Sequence, residues 1–464
     1  MTICKALAAL LALAGTTLPA FSQAADDIAG LRAELQALKN EYQARVGALE
    51  QRLAQLESAP VAGLSEPAAT SQPADLASQP VNRATAFNPA MSLILAGSYT
   101  DTSQDPQTWG IAGFIPNDGE LGPGERSFNL GESELTLSAN VDPYFAGQMT
   151  AALTPENEVE VEEAFFRTLA LPSGFTAKGG RFFSGFGYLN EVHAHAWDFA
   201  DQPLAYQAFF AGQFKQEGLQ IKWLAPTELF VELGAETGNG SGFPATRRNR
   251  NGFNGATLFA HVGGDVDDSI SWRAGAAYLD QRAQDRTFEN VDEFDLPVIN
   301  SFTGDSRTWV VDAVLKWSPV GDPNRRQLKV QGEYMRRRES GLLTFNTDGS
   351  NLTDDYRSSQ SGWYVQGVYQ FLPRWRAGLR YDALDSGAPS IGLVDSGELP
   401  LTAFPTLLSA DPDRISIMLD WNPSEFTRLR AQYDWDDARG TDDRDRIFRL
   451  QYIYGIGAHG AHKY

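Results

Sequence analysis

Two histidines and three acidic residues lie close together in one short stretch of the chain. His193 and His195 are two residues apart, and Glu191, Asp198 and Asp201 flank them. Imidazole and carboxylate groups are ligands of zinc, nickel and cobalt, and an i, i+2 histidine pair points to one face of an extended chain. His193, His195 and Asp198 are therefore candidate metal ligands. Because the spacing matches no closed zinc motif, metal-free hydrogen bonding within a packed loop is the alternative.

The elements that must hold these residues are β-strands. From Phe87 to Tyr464 the hydrophobic pattern has a period of two and divides into about sixteen strands. Their joints alternate between short turns, many with proline, and longer loops, two of which are predicted at 282–307 and 339–361. This asymmetry predicts an all-β fold, a transmembrane antiparallel β-barrel whose short turns and termini face the periplasm.

The two faces of the predicted strands differ in chemistry. Trp309, Val311 and Leu315 share one face, whereas Asp312 and Lys316 lie on the other. In a membrane barrel the apolar face meets lipid and the charged face lines water. Tryptophans near strand ends are expected to form interfacial girdles, namely Trp223, Trp309, Trp317, Trp363, Trp375, Trp421 and Trp435. The predicted pore-lining bases are Arg273, Lys316, Lys329, Arg374, Arg376, Arg380, Arg428, Arg430 and Arg449.

The histidine stretch interrupts this pattern. Lys178–Phe214 begins as a strand, loses its alternation near Gly187 and resumes as a strand after an aromatic run. We interpret residues 187–214 as a loop after the fifth strand that folds inward and constricts the pore. Its acids would then face the arginine wall and create a transverse field. The alternative is that each arginine pairs with an acid on a neighbouring strand.

Three segments precede the predicted barrel. Residues 1–24 have an early lysine, an apolar core and small residues before a cleavage point, which is typical of a secretory signal peptide. Residues 25–57 carry apolar residues at intervals of seven and predict a short periplasmic coiled coil, with a single amphipathic helix as the alternative. Residues 58–86 are rich in Ala, Ser and Pro and indicate a linker. The barrel would occupy residues 87–464.

Composition excludes several classes of function. The net charge of −21 argues against a nucleic-acid partner, because phosphate contacts need a basic face. Cys4, in the predicted signal peptide, is the single cysteine, so a mature chain would have no thiol ligand. No catalytic serine elbow, phosphate-binding glycine loop or His-Glu-x-x-His motif is present, so an enzyme is not expected.

Two resemblances accompany this reading. The run Lys178–Gly187, KGGRFFSGFG, resembles the Gly-x-Phe-x-x-Pro-Phe-Gly run of phosphate-selective O/P-type porins, and the order of signal, coiled coil, spacer and barrel is similar to theirs. That resemblance implies a homotrimeric channel without a plug. The loop departs from a phosphate-selective constriction, since no Lys or Arg lies between Arg181 and Lys215. Asn190–Gln202 also resembles barrels labelled zinc-regulated TonB-dependent-type receptors, which implies metal-linked uptake, although the sequence shows no plug domain.

The sequence therefore predicts a bacterial outer-membrane porin that passes small hydrophilic solutes or ions by passive diffusion. Its expected partners are outer-membrane lipid, two further copies of the chain and the permeating solutes. One alternative is a metal-linked uptake receptor, in which zinc would be a ligand or the transported solute; otherwise no cofactor is expected. Another is a structural barrel whose coiled coil contacts the cell wall or periplasmic proteins.

Overall fold

The computed structural model describes residues 89–457 apart from 117–120, 156, 247–249, 293–295, 322–324 and 442. The predicted signal peptide, coiled coil and linker, and the residues after 457, lie outside the described residues. Eighteen strands occur in the described part: β1 (Ala90–Thr102), β2 (Ser127–Leu130), β3 (Ser133–Asn140), β4 (Phe145–Leu153), β5 (Val159–Thr168), β6 (Phe175–Phe183), β7 (Lys215–Leu224), β8 (Phe230–Gly238), β9 (Gly255–Asp267), β10 (Ile270–Val291), β11 (Pro297–Trp317), β12 (Gln327–Phe345), β13 (Leu352–Leu372), β14 (Trp375–Asp385), β15 (Ser390–Ile391), β16 (Asp413–Ser424), β17 (Thr427–Asp436) and β18 (Asp445–Gly457).

Sixteen of these strands form a closed antiparallel ring. Each wall strand pairs with the next along the chain, and β18 closes the ring on β1, from Ser92↔Gly457 to Thr102↔Ile447. The two short strands are additions, because β2 extends the pairing of β1 and β15 adds two residues beside β13. The predicted all-β barrel of about sixteen strands is confirmed. Among the described residues, no helix is long and apolar enough to cross a membrane.

The wall alternates between an apolar outer face and a polar inner face. On β11 the side chains of Trp309, Val311 and Leu315 are exposed, whereas Asp312 is buried. The same alternation continues on β16, where Ile417 is exposed. This arrangement inverts that of a soluble protein, in which large apolar side chains would be inside. The charged residues of the strands consequently meet in the interior.

The joints at the two rims differ in length. At one end, here called the short-turn rim, joints such as 268–269, 373–374 and 425–426 have two residues. The other end, the long-loop rim, carries the loops 103–126, 184–214, 239–254 and 386–412. The predictions of long loops at 282–307 and 339–361 are wrong, because strands continue through most of both segments. Their joints are only 292–296 and 346–351.

Those prolonged strands make one side of the barrel tall. The strands β10–β13 have 19 to 22 residues, whereas β3–β8 have 8 to 10. We call these two parts the high wall and the low wall. Loop 386–412, which contains the helix Gly392–Asp395, packs Leu393 and Phe404 against Phe302 and Tyr356 on the inner face of the high wall. Inward aromatic residues therefore keep these segments in the sheet although their outer faces are polar.

A bulge interrupts the low wall on β5. Thr150 pairs with Glu163 and Ala151 pairs with Val161, so Glu162 is an extra residue on β5. The loss of alternation around Glu160–Glu163 predicts such a register shift before Phe165, and the structure confirms it. The consequence is that two consecutive carboxylates, Glu162 and Glu163, are both buried on the inner side.

Candidate functional site

Residues 184–214, between β6 and β7, lie inside the barrel; we call them the infolded loop. Its short helix α1 (Leu204–Phe210) is buried along its whole length, and Phe186, Leu189 and Phe214 pack with it against inner wall residues. Asn190 joins the two ends of the loop, because its amide donates to the carbonyls of Ser184 and Phe214 and accepts from the Phe214 amide. The loop is thus a compact unit rather than an open segment.

The loop enters the barrel through a left-handed turn beside a buried carboxylate. Gly187 has φ +67°, and a Cβ there would lie 2.4 Å from Glu333 Oε2. Glu333 on β12 accepts hydrogen bonds from the backbone amides of Tyr188, at 3.2 Å, and Leu189, at 2.9 Å. The Tyr206 hydroxyl donates to the same carboxylate. Glycine is therefore required at this turn both for its conformation and for its lack of a side chain.

Asp201 is held by three arginines of the wall. Its carboxylate lies 2.7 Å from Arg380, 2.9 Å from Arg414 and 3.4 Å from Arg449, and it accepts a hydrogen bond from Gln432. Burial alone would raise the pKa of Asp201, but the three guanidinium groups outweigh that effect and hold the pKa well below its usual range. The carboxylate is accordingly ionised at any physiological pH.

Asp198 is held in the same way. It accepts from Lys329 at 2.9 Å and from Arg376 at 3.0 Å, and these cations hold its pKa below the usual range although burial opposes them. The backbone nearby is also held, because Arg428 and Arg430 both donate to the carbonyl of Trp197. We call Asp198 and Asp201, with the bases around them, the arginine anchor of the loop.

A cavity of about 490 Å³ adjoins the arginine anchor on the side of the short-turn rim. Charged groups in its lining are Lys316, Lys329, Arg376, Arg428 and Asp198, and Trp197 and Tyr188 of the loop cover it. Four bases face one acid there, so the cavity carries a net positive charge. This compartment is suited to small anions.

The histidines make contacts of a different kind. His193 Nδ1 lies 3.2 Å from Glu162 and 3.3 Å from Glu134, and its Nε2 lies 3.1 Å from Glu163. His195 Nδ1 lies 2.7 Å from Glu134. Burial alone would lower the pKa of His193, but the three carboxylates raise it well above its ordinary value. We call these five residues the histidine anchor.

The structure divides the predicted site residues among separate groups. Asp198 does not join the histidines, because Lys329 and Arg376 hold it; the predicted ligand set His193, His195 and Asp198 is wrong in that member. Glu191 lies apart as well, 3.4 Å from Lys222 on β7. The loop acids and histidines thus engage different arcs of the wall.

Eight of the nine predicted pore-lining bases extend from strands into the interior. Arg273, for example, donates to the Gly187 carbonyl, and the others contact the loop, the cavity or inner acids. Arg374 is the exception and needs correction. It occupies the turn 373–374 with φ +72°, and its side chain is exposed at the short-turn rim. A left-handed turn residue cannot take part in strand alternation.

Sequence reasoning missed several residues of this site. Arg414 shares the parity of Ser416 and Asp420 on β16, and Glu134 shares the parity of Thr136 on β3, so alternation could have found both. Their interaction with the loop is a long-range contact that no local pattern contains. Glu162 could not be found by parity, because the bulge changes its orientation.

Comparison with known proteins gives one informative relative. No family model matches the chain. An uncharacterised protein of Aquifex aeolicus (strain VF5) is 32% identical over 364 residues, which cover 75% of this chain and 72% of that protein. The two proteins belong to one family. The resemblance to phosphate-selective porins stays a prediction.

Solved structures with a similar barrel are more distant. An OmpT loop-deletion mutant, an outer membrane protein of Vibrio cholerae, has a TM-score of 0.49 at 13% identity, covering 79% of this chain and 99% of that one. The outer membrane channel DcaP of Acinetobacter baumannii has a TM-score of 0.44 at 13% identity, covering 79% and 97%. An anion-selective porin from Comamonas acidovorans has a TM-score of 0.47 at 8% identity, covering 79% and 99%.

Proposed function

We propose that the protein is a bacterial outer-membrane channel for small hydrophilic solutes or ions, constricted by the infolded loop. The membrane assignment is supported by the outer face of β11, which is apolar from Trp317 to Trp309, about 26 Å along the strand at ~3.3 Å per residue. Beyond Trp309 the outer face becomes charged, with Arg307 near Asp280 and Asp305. At the usual strand tilt of about 40°, this length spans about 20 Å along the barrel axis, which approaches the ~25 Å apolar band of a membrane barrel.

Aromatic pairs mark both edges of that band. Trp375 and Trp421 stack near the short-turn rim, with ring centroids 6.0 Å apart. At the other edge, Trp309 packs on Tyr278, and Trp363 packs on Tyr381. Aromatic side chains of this kind favour the boundary between lipid and water. The high wall would then extend beyond the membrane on the long-loop side.

The observation that carries the channel proposal is the infolded loop itself. A loop held by ion pairs inside a closed barrel would narrow the lumen at a fixed place, and polar side chains such as Gln220, Thr257 and Gln281 are buried on the inner face of the wall. Members of the arginine wall pair with wall acids and with the loop, which supports the pairing explanation, and a transverse field across the constriction remains a proposal. The basic cavity favours small anions on the short-turn side.

The experiment is single-channel current of the purified protein in a planar bilayer under a salt gradient. Discrete openings with an anion-biased reversal potential are expected. Loop 386–412 packs against the inner face of the high wall and so occupies part of the interior. A variant in which a short Gly-Ser linker replaces residues 392–407 is therefore expected to have a higher conductance than the wild-type protein. If folded samples of both proteins carry no current, the channel proposal is wrong.

We also propose a homotrimer that associates through the low wall. Its outer face exposes large apolar side chains, including Phe145, Phe166 and Leu219, whereas the upper part of the high wall bears exposed charges such as Arg307. The mass of the detergent-solubilised complex, measured by light scattering, is expected to correspond to three copies. A monomer would contradict this assembly.

The two other functions have different support. Metal-linked uptake would draw on the histidine anchor, whose imidazole and carboxylate donors suit a zinc ion as ligand or solute. Envelope tethering depends on residues 25–57, which lie outside the described residues. Deletion of 25–57 with unimpaired envelope integrity would count against it.

A further inference from the structure

The histidine anchor brings metal-binding donors from three segments to one point. Glu134 comes from β3, Glu162 from β5 and His193 from the infolded loop, and one donor atom of each lies within 4.8 Å of the others. His193 Nδ1 is 3.2 Å from Glu162 Oε2 and 3.3 Å from Glu134 Oε2. Ligands of a tetrahedral ion with bonds of about 2.0–2.1 Å lie about 3.3 Å apart. His193 Nδ1 therefore already lies from each of the two carboxylates at the distance that separates two ligands of one such ion.

The charges of this cluster are incompletely compensated. The ion-pair partners of Glu134 and Glu162 among the described residues are His193 and His195 alone, and neither histidine is a permanent cation. Glu132 adds another carboxyl group, which contacts Glu162. The fixed cation that acts on this group is Lys215, which itself pairs with Glu160, so these buried carboxylates share little positive charge, and burial of that kind is costly. A divalent cation would supply the missing charge.

One ligand atom also lacks a hydrogen-bond partner. Glu134 is only 1% exposed, and among the described residues its Oε2 accepts no hydrogen bond of good geometry. That oxygen is the one that lies beside His193 Nδ1. A buried carboxylate oxygen ordinarily finds a donor, so an orphaned one directed at two other ligand atoms indicates a missing cation.

The second nitrogen of His193 contacts a further carboxylate, which orients the ring. Its Nε2 lies 3.1 Å from Glu163 Oε2. A metal ion would displace the proton of Nδ1, and the proton that stays on Nε2, donated to Glu163, would keep the Nδ1 lone pair directed at Glu134 and Glu162. Carboxylates that orient metal-bound histidines in this way are a common second layer of metal sites. The bulge on β5 provides both the ligand Glu162 and the orienting carboxylate Glu163, since it turns these two residues inward together.

We propose that Glu134, Glu162 and His193 bind a divalent transition-metal ion of the zinc type, with Glu163 orienting His193. His195, 2.7 Å from the other oxygen of Glu134, is the nearest further donor for the remaining coordination position. Imidazole with two carboxylates suits zinc, cobalt or nickel better than calcium or magnesium, which prefer more oxygen ligands. The bound ion would tie the infolded loop to the low wall.

The test is metal binding by the full-length barrel refolded in detergent, which requires no channel activity. Because the sequence has two further histidines near its end, His459 and His462 are replaced by alanine in every sample. Equilibrium dialysis with zinc is expected to give one ion per chain with micromolar affinity, and cobalt is expected to give the visible absorption of a low-coordinate site. Heat-modifiable gel migration verifies that each variant is folded.

Two variants and one control make the result specific. Glu162→Gln and His193→Ala are each expected to weaken zinc binding at least tenfold. The control Glu191→Gln changes an acid of the same loop that contacts Lys222, and it should bind zinc like the parent protein. Absence of stoichiometric binding by the parent, or equal binding by folded Glu162→Gln and His193→Ala, would overturn the proposal.

Discussion

The arginine anchor and the histidine anchor hold the same loop by different electrostatics. Asp198 and Asp201 face cations that are charged at every physiological pH. His193, eight residues before Asp201, faces carboxylates and is itself the titratable partner. The first anchor therefore has a fixed charge state, whereas the second depends on protons or a metal ion. One loop thus combines a permanent attachment with a conditional one.

This difference follows from the strands that contribute the wall residues of each anchor. Arg380, Arg414 and Arg449 come from β14, β16 and β18, where regular alternation directs every second residue inward. The glutamates of the histidine anchor come from β3 and the bulged part of β5. The loop passes from one arc to the other within residues 193–201. Substitutions in the histidine anchor and in the arginine anchor should consequently give distinct results.

The largest effect is expected from Asp201→Asn. The substitution keeps the shape of the side chain but removes the charge that faces Arg380, Arg414 and Arg449. Loss of one partner of a buried ion pair costs about 3–5 kcal/mol, and we expect about 3 kcal/mol because wall acids still accept from these arginines. Urea unfolding in detergent micelles measures this change in the free energy of unfolding. Asp348→Asn, on an exposed turn, is the control, and a loss below about 1 kcal/mol would contradict the fixed anchor.

A smaller and conditional effect is expected from His193→Ala. With chelator present, loss of hydrogen bonds to charged groups should cost about 1.5 kcal/mol. Zinc at about 100 times its Kd should then stabilise the wild-type protein by about 2.7 kcal/mol and the variant hardly at all. The same urea titrations, with and without zinc, give both quantities. Zinc should stabilise Asp201→Asn as much as it stabilises the wild-type protein. If zinc does not stabilise Asp201→Asn, the two anchors are not independent.

Sequence reasoning reached the barrel because one rule applies along every wall strand. Alternation such as that of Trp309, Val311 and Leu315 against Asp312 separates the apolar face of a strand from its polar face, whatever the neighbouring strands are. It failed at 282–307 and 339–361, because the outer face there becomes charged or polar, as it does at Arg307. The strands nevertheless continue, held by inward residues such as Phe302 and Phe345. The change from an apolar to a charged outer face therefore resembled the end of a strand.

The site was predictable only in part. The types of residue at His193, His195, Asp198 and Asp201 indicated an ionisable loop, but their partners did not follow from spacing. Asp198 is close to the histidines along the chain, yet its partners Lys329 and Arg376 lie more than 130 residues later. Pairing across a barrel depends on register and closure, which a single stretch of sequence does not encode. The bulge on β5 was visible as broken alternation, but not the direction of its carboxylates.

The pH dependence should separate the anchors further. The pKa of Asp201 is lowered on folding, so its contribution to stability is present above the unfolded value near 3.9 and is lost as pH falls toward the folded value. The stability difference between wild type and Asp201→Asn should thus be constant from about pH 8 to pH 5 and shrink only below about pH 4. Unfolding curves across this range test it. A decline near neutral pH would assign the difference to another group.

The smallest effect concerns ion selectivity at the basic cavity. Asp198→Asn removes its acid and Lys316→Gln removes one of its bases, so the two substitutions change the local charge by one unit in opposite directions. The reversal potential under a salt gradient should shift toward anion selectivity for Asp198→Asn and toward cation selectivity for Lys316→Gln, while Asp348→Asn leaves it unchanged. Low ionic strength should enlarge both shifts, because screening is then weaker. If neither substitution shifts the reversal potential, permeating ions do not pass this cavity and the arginine anchor only positions the loop.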